Sequence, residues 1–572
     1  MSTSNSIEVP PESRRDFIFE KLKQYASLPY LLLIFITVLI YSQTLSFGIM
    51  DTWDDQVFFL DRPELKNWWG TPWFERLTTP EIGYPIPIPT VLYVLLQQLP
   101  GDWVIPTSHG LNVLLQCINA CLMYKVLLRW LEKRTPTLVA ALLWASHPLL
   151  VESVAWVTNL KTLTFAAALL TAILFWENHL RAPKRYYIAF SGLFAILAFG
   201  CRPEAIIIAP LILARTYWKG GWPLLRRPIY WVLPIGLAIL SAIFIPFVIG
   251  SHTTALIAIN DNSTITTLKN LEHYQQIFTA LALQIWHIIS PNNLNPAYYE
   301  EQYRAPYILI SGILIAAVWL GAILITWRTK HPGGWPLTFA AICYAPASGI
   351  EYLPRFTADT YMYLPLAGLL AASITFLPQR INYRERAHFW SLLTLLVICA
   401  LATSSFIQNQ RWRNTITLWE PLLESTAEYG QAHFMVGIAL TSVGEYDKAV
   451  KIFDEGYHGI TRTLTPPVEM AVAYASAGNP IRAYEILMDI LLRSDIPSDP
   501  RTDSLLVILA AKNKLNWPDK GRFNEVANKA AWRVYQARSL PQQLHSEVSK
   551  YFYHQQQDDL GKLFANTAPR SK

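Results

Sequence analysis

Apolar runs of 16 to 22 residues recur through the first 409 positions of this chain, and no other feature restricts its fold as strongly. A helix rises about 1.5 Å per residue, so each run can cross a hydrocarbon core of about 30 Å. Inside such a core the backbone finds no water, which leaves hydrogen-bonded helices or closed barrels as the ways through. Eleven runs read as spans: "LPYLLLIFITVLIYSQTLSF" (28–47), then segments beginning near residues 108, 135, 155, 187, 203, 229, 307, 335, 361 and 388. The expected fold is all-α, a polytopic membrane protein with about eleven transmembrane helices. At 52% hydrophobic and 15% charged residues, a soluble globular fold is excluded. The first run is too long for the core of a cleaved signal peptide and lacks a small-x-small cleavage site, so it reads as a retained anchor.

Basic residues give the orientation, because they concentrate in cytoplasmic loops. Arg14, Arg15, Lys21 and Lys23 precede the first span, and the second ends in Lys125, Arg129, Lys133 and Arg134. Every second later loop repeats this: "RAPKR" (181–185), "KGGWPLLRRP" (219–228), "WRTK" (327–330) and "QRINYRER" (379–386). The loop 49–107 instead carries Asp51, Asp54, Asp55, Asp61, Glu64, Glu75, Glu81 and Asp102 against Arg62, Lys66 and Arg76, and is assigned outside. The run 274–290 breaks the alternation if counted as a crossing, so a re-entrant or interfacial helix is expected there. The domain plan is then a cytoplasmic segment 1–27, a membrane domain 28–409 with extracytoplasmic loops 49–107 and 250–306, an extracytoplasmic repeat domain 410–565, and a frayed tail 566–572.

The repeats are read from "QAHFMVGIALTSVGEYDKAVKIFDEG" (431–456). A shift of 34 residues aligns Gly444 with Gly478, Ala449 with Ala483 and Phe453 with Leu487, the tetratricopeptide pattern of close-packed helix pairs. Residues 500–540 lack the glycine in phase and are expected to form a capping helix pair. The five cysteines, Cys117, Cys121, Cys201, Cys343 and Cys399, lie in or beside spans without a C-x-x-C pair, and read as core residues and not as a metal or disulfide framework.

The expected topology gathers the unusual polar groups on one face. Asp51, Asp54 and Asp55 stand where the first span leaves the membrane. Two adjacent carboxylates near apolar surface repel and lose water, which raises one pKa and suits it to general-base work. On the same face come His147 and Glu152 of "HPLLVES", Lys161, Arg202 and Glu204 of "CRPE", "SPNNLNP", and Arg355, Asp359 and Tyr361 of "PRFTADTYMYLP". Each has an ordinary alternative: solvated rim for the aspartates, capping for His147, snorkelling for Lys161, an internal pair for Arg202 with Glu204, a cap or ion pair for Arg355 with Asp359. Together they make a mixed acid and base ring that could hold an anionic head group while a carboxylate deprotonates an acceptor.

The order "WDD", "HPLLVESVAWVTNLKTLTF", "CRPEA", "SPNNLNPAYY", "TADTYMYLPLAGLLAA" and "RWRNTITLWEPLLES", followed by repeats, resembles the transmembrane-and-tetratricopeptide-repeat O-mannosyltransferase family and its bacterial relatives. The resemblance runs from about residue 28 to 490. It implies a GT-C glycosyltransferase fold, an active site on the extracytoplasmic face and a polyprenyl-phosphate sugar donor. On that reading Asp54 is the first choice as base, with Asp55 orienting the acceptor or sugar or serving as the base in its place, Glu152 is the third catalytic carboxylate, and Arg202, Lys161, Arg355 and His147 meet the phosphate. Asp51, Glu204, Asp359 and Tyr361 contact substrate. Arg202 stands where the family often carries a lysine, which keeps charge and changes geometry.

Attack by a Ser or Thr hydroxyl of a protein, with inversion, is the expected reaction, and the partners implied are the lipid donor, membrane lipids and an acceptor protein on the repeats, with no nucleic acid. A divalent metal on Asp54, Asp55 and Glu152 is one alternative that a monophosphate leaving group makes dispensable. The membrane is the inner or plasma membrane of a bacterium, or the endoplasmic reticulum of a eukaryote. Competing readings are a glycolipid or polysaccharide acceptor, a transporter, and a non-catalytic scaffold presenting the repeats.

Overall fold

The computed structural model describes residues 27–50, 52–60, 68–78, 84–243, 271–350, 353, 355–377, 383–463, 467–493, 500–518, 521–537 and 539–565. Asp51, the basic cluster before residue 27 and the tail 566–572 lie outside the described residues. Among those described the secondary structure is helical throughout, with no strand. The chain forms two compact units, Met1–Ile49 with Asp54–Arg413, and Met50–Trp53 with Asn414–Lys572.

In the larger unit, helices stand at each of the eleven expected places: Leu28–Ser46, Gly101–Leu131, Arg134–Ala145, Val157–Arg181, Arg185–Phe199, Ile208–Leu225, Pro228–Ile243, Pro306–Thr329, Gly334–Tyr344, Tyr363–Phe376 and Phe389–Arg411. Five are long and apolar enough to cross a membrane alone: those starting at Leu28, Gly101, Val157, Pro306 and Phe389. Arg134–Ala145 and Pro148–Ala155 pass the same test as a pair bent by 57°. Pro148 causes the break, since it has no N–H to continue the helix and pushes the preceding His147 into extended backbone. Pro203 does the same to Arg202, which is extended at φ −156°. Left-handed residues close two long helices, Glu132 at φ 57° and Lys330 at φ 55°.

Burial separates central from peripheral helices. The apolar stretch of Val157–Arg181 is 83% buried, whereas that of Pro306–Thr329 is 6% and that of Phe389–Arg411 11%. Helices so apolar and so exposed suit a lipid surround. Near the far end of Val157–Arg181 the fully buried Glu177 accepts from Trp130 Nε1 at 2.9 Å and from Arg215 Nη2 at 3.1 Å and Nε. Arg215 also lies over the Trp335 ring, 5.1 Å from its centre.

Two expectations change and one holds. The loop 49–107 contains a helix, Pro87–Leu96, whose Tyr93 stacks on Phe58 at 4.5 Å, and the loop packs into a small apolar core that it shares with Leu160, Leu111 and Leu115 of the long helices. The run at 274–290, expected as a re-entrant or interfacial helix, is a helix, Leu271–Ile289, outside the set apolar enough to cross, which agrees with that expectation. Cys399 is exposed and Cys121 half-buried, so only Cys117, Cys201 and Cys343 are core residues.

In the smaller unit, Trp53 meets Trp419 edge-on at 5.5 Å. Four helix pairs follow: Gln431–Ser442 with Tyr446–Thr463, Val468–Ser476 with Pro480–Arg493, Pro500–Lys512 with Gly521–Ala537, and Gln542–His554 with Asp558–Ala565. The 34-residue alignment has a physical basis. Gly444 and Gly478 both turn the chain at left-handed φ, 82° and 86°, and Ala449, Phe453, Ala483 and Leu487 are all fully buried. A Cβ on Gly437 would come within 2.4 Å of the Phe453 ring, which is why a small residue is needed there. In the third pair Lys514 takes the left-handed place without a glycine, at φ 50°. The fourth pair lies beyond the expected capping pair, and one apolar core runs on from Ala449 to Phe564.

Candidate functional site

The site is built where helices break. Between Ala145 and Leu160 the chain has one short helix, Val151–Ala155, flanked by one-turn 3-10 helices, in which Trp156 O and Val157 O accept only from the nearby N–H groups of Asn159 and Leu160. Asn112, buried on the helix Gly101–Leu131, donates to Val154 O, Trp156 O and Val157 O at 3.2, 3.1 and 3.3 Å. Tyr93 donates to Thr158 O at 2.9 Å, and Asn119 to Leu163 O at 3.0 Å. Gln116 accepts from Tyr363 on the same side.

On this pinned segment the two adjacent carboxylates face different surroundings. Asp54, 32% exposed, accepts from Lys161 Nζ at 2.7 Å. Lys161 is itself buried and stands 5.4 Å from the centre of the Trp156 ring. Asp55 is 1% exposed and accepts from Thr158 Oγ1 at 2.6 Å. One carboxylate therefore opens to solvent beside an ammonium, and the other is fixed in the interior.

Arg202, extended before Pro203, gives its Nε to Glu204 Oε1 at 3.0 Å, a second nitrogen to the same oxygen, and a third to Thr162 Oγ1 at 2.8 Å. Burial alone pushes the Glu204 carboxyl up, but the Arg202 guanidinium outweighs it and, with Lys161 adding to the effect, holds it below its usual range. The Tyr84 hydroxyl is pushed up by burial and lies near enough to Arg202, Glu204 and Asp54 to feel all three charges.

Glu152, 1% exposed, accepts from Arg355 Nη1 at 2.5 Å and from the Thr360 backbone N–H at 3.1 Å. Arg355 also donates to Pro296 O at 2.6 Å, and Ser153 to Thr360 Oγ1 at 2.9 Å. Asp359 accepts from the Tyr298 hydroxyl at 2.7 Å, with His287 Nδ1 at 3.9 Å. Burial, reinforced by the Glu152 charge, raises Asp359 well above the ordinary carboxylate range. Tyr361 joins the two halves. Burial pushes its hydroxyl up to about 12 against the pull of Arg355 and Arg202, and both Glu152 and Glu204 act on it as well.

The separated motifs thus meet: "WDD" with "TNLK", "CRPE" with Thr162, "VES" with "RFTADT", and "SPNNLNPAYY" with "TADT" through Tyr298. Arg411 of "RWR" donates to Leu294 O at 2.7 Å, and Trp412 stacks on Trp156 at 6.2 Å. His147 does not share in this. Its Nδ1 accepts from the Leu149 N–H at 3.2 Å and its Nε2 bonds Ile288 O at 3.1 Å, so both ring nitrogens serve the backbone and the capping role replaces phosphate contact. Asp54, Asp55 and Glu152 are held by three different partners, and among the described residues no group of three or more His, Cys, Asp or Glu gathers to hold a metal ion.

Each of the three cations already faces a carboxylate, which limits what it can do for an anion. An ammonium carries three donors and a guanidinium five. Lys161 gives one to Asp54, and Arg202 commits three to Glu204 and Thr162, so both keep N–H groups for a further acceptor. Sequence reasoning passed over Asn112, Thr158, Thr162, His287 and Tyr298. The signal for the first was readable: His109, Asn112, Gln116 and Asn119 are spaced at three and four along an otherwise apolar helix, one polar stripe on one face. Compared with protein-family models, with curated proteins and with solved structures, the chain matches none.

Proposed function

We propose that the chain is a multi-pass membrane glycosyltransferase that moves a sugar from a polyprenyl-phosphate donor to a hydroxyl, Ser or Thr of an acceptor protein, on the extracytoplasmic side. The observation that carries this reading is the Asp54 carboxylate, open to solvent, with Lys161 at 2.7 Å and the spare donors of Arg202 in the same cluster. In the reaction the acceptor oxygen attacks the anomeric carbon from the face opposite the phosphate. The bond from that carbon to the phosphate oxygen breaks, its electron pair leaves with the polyprenyl phosphate, and the configuration inverts. Asp54 takes the hydroxyl proton. Lys161 and Arg202 meet the charge growing on the leaving phosphate, where donors fixed in advance act most strongly. Tyr361, near enough to both arginines to feel their charges, is a candidate contact for the sugar or its phosphate.

The alternation of basic loops in the sequence supports an outer location for the loops that carry this cluster. The helix pairs read as tetratricopeptide repeats, whose concave groove suits an acceptor polypeptide. The family resemblance in the six motifs points the same way. Mass spectrometry of envelope proteins and glycolipids from cells with and without this chain tests the reading. Loss of a hexose from Ser or Thr of specific proteins is expected. Loss confined to glycolipids would transfer the acceptor to that class, and unchanged glycans in both would overturn the proposal.

A further inference from the structure

We propose that the groove between Leu28–Ser46 and Gly101–Leu131 binds one anionic phospholipid, its acyl chain in the groove and its phosphate at the basic end. The inference rests on the membrane reading above and is independent of the transfer chemistry. The groove has a volume of about 820 Å³ and is lined by Tyr30, Val38, Gly110, Cys117, Cys121 and Lys125 among others. Apart from the tyrosine hydroxyl and the lysine these are apolar or nearly so. From Gly110 to Lys125 the helix rises about 22 Å, more than the roughly 15 Å of hydrocarbon in one leaflet. Gly110 keeps the floor open, and a Cβ there would first meet Leu45 Cδ2 at 3.4 Å.

The end of the groove identifies the occupant. Lys125 Nζ stands 5.8 Å from the centre of the Tyr30 ring, and Arg129 and Arg134 lie near enough for their charges to act on the Tyr30 hydroxyl. The neighbouring carboxylate, Glu132, is engaged by Arg181 at 3.3 Å and Lys219 at 3.8 Å. Among the described residues no carboxylate pairs with Lys125, Arg129 or Arg134. This contrasts with Lys161, Arg202 and Arg355 of the candidate site, each of which has its own acid. Three cations with no carboxylate among the described residues, and a hydroxyl, at the mouth of a long apolar groove match a phosphate carrying an acyl chain. A zwitterionic head group would bring a competing ammonium, and free phosphate would leave the groove unfilled.

The full-length protein is placed in phosphatidylcholine nanodiscs containing a minor share of phosphatidylglycerol with a photoactivatable acyl chain, and cross-links are mapped by peptide mass spectrometry. They are expected to concentrate on residues 30–38 and 110–122. Lys125→Gln should lower them about five-fold, and adding Arg129→Gln about five-fold again, as for basic groups at a membrane surface. Cys121→Trp, which fills the groove without touching its charge, should remove them. Asp54→Asn should label like the unaltered chain, so failure of the transfer chemistry leaves this test intact. Equal labelling by photoactivatable phosphatidylcholine, competition by inorganic phosphate, labels spread evenly over Pro306–Thr329, or indifference to Lys125→Gln would each overturn the proposal.

Discussion

Replacing Asp54 by Asn tests the chemistry at its most exposed point. The amide keeps the size of the carboxylate and can still accept from Lys161, whose Nζ stands 2.7 Å from Oδ2, but it cannot take a proton. Loss of a general base lowers turnover by at least about 10²-fold, or about 2.7 kcal/mol of barrier. The effect on folding is smaller. Asp54 is 32% exposed, so solvent screens the lost charge and the net cost is about 1 kcal/mol, a minor part of a typical stability of about 5–15 kcal/mol. Turnover per folded molecule and melting temperature should therefore separate clearly. The assay is transfer from a labelled polyprenyl-phosphate sugar to peptide in detergent, normalised to protein that elutes as a folded species. Lys161→Met completes a double-mutant cycle. Because the two groups touch, their effects on transfer should be well short of additive. Normal turnover per folded molecule in Asp54→Asn, whatever the state of Lys161, would refute the assignment of the base.

Arg202→Ala should raise the KM for donor about 10- to 100-fold, and Arg202→Lys should recover only part of it, since a point charge cannot hold Glu204 and Thr162 together. His287 is held down to about 4 by burial, against about 6.5 when unfolded. Between those values only the unfolded chain binds the proton, so stability falls as pH drops through that window by about 3 kcal/mol, and His287→Gln should flatten this limb of a denaturation profile. Glu177→Ala leaves the Arg215 guanidinium buried without its acid. It should cost about 3–5 kcal/mol in thermal unfolding while sparing transfer per folded molecule. Deleting residues 425–572 should reduce transfer to folded protein acceptors more than to short peptides; equal loss for both would assign the repeats a structural role.

Hydropathy located the helices because it depends on length and composition, which the sequence carries locally. Helix lengths were less legible: Arg185–Phe199 and Gly334–Tyr344 stop short, since Gly200 and the turn at Ala345 end them before the apolar residues do. Pro87–Leu96 escaped notice because ten residues fall below any span-length window. The polar groups of the site were visible singly, but their partners were not. Asp54 finds Lys161 across 107 residues and Asp55 finds Thr158 across 103, and nothing in "WDD" distinguishes an open carboxylate from a buried one. His147 misled for a local reason: the proline after it makes it a cap, and that role uses both ring nitrogens. The 34-residue repeat was readable where glycine made the turn, and faded where Lys514 and Gln556 adopt the same left-handed backbone without one.

The donation from Asn112 to three carbonyls of the broken segment also bears on how the chain is made. The N–H groups of Asn159 and Leu160 also reach Trp156 O and Val157 O, so Asn112 adds a second bond to a one-turn helix that is marginal alone. Synthesis runs from the N-terminus, and Gly101–Leu131 leaves the ribosome before residues 154–157 do. The donor is therefore already made when the acceptors arrive, and the most irregular stretch of the larger unit folds as the second half of a pair. A permuted gene that moved residues 101–131 behind residue 181 would encode the same contacts in the wrong order, and would leave that turn without its side-chain partner while the rest of the protein was still being written.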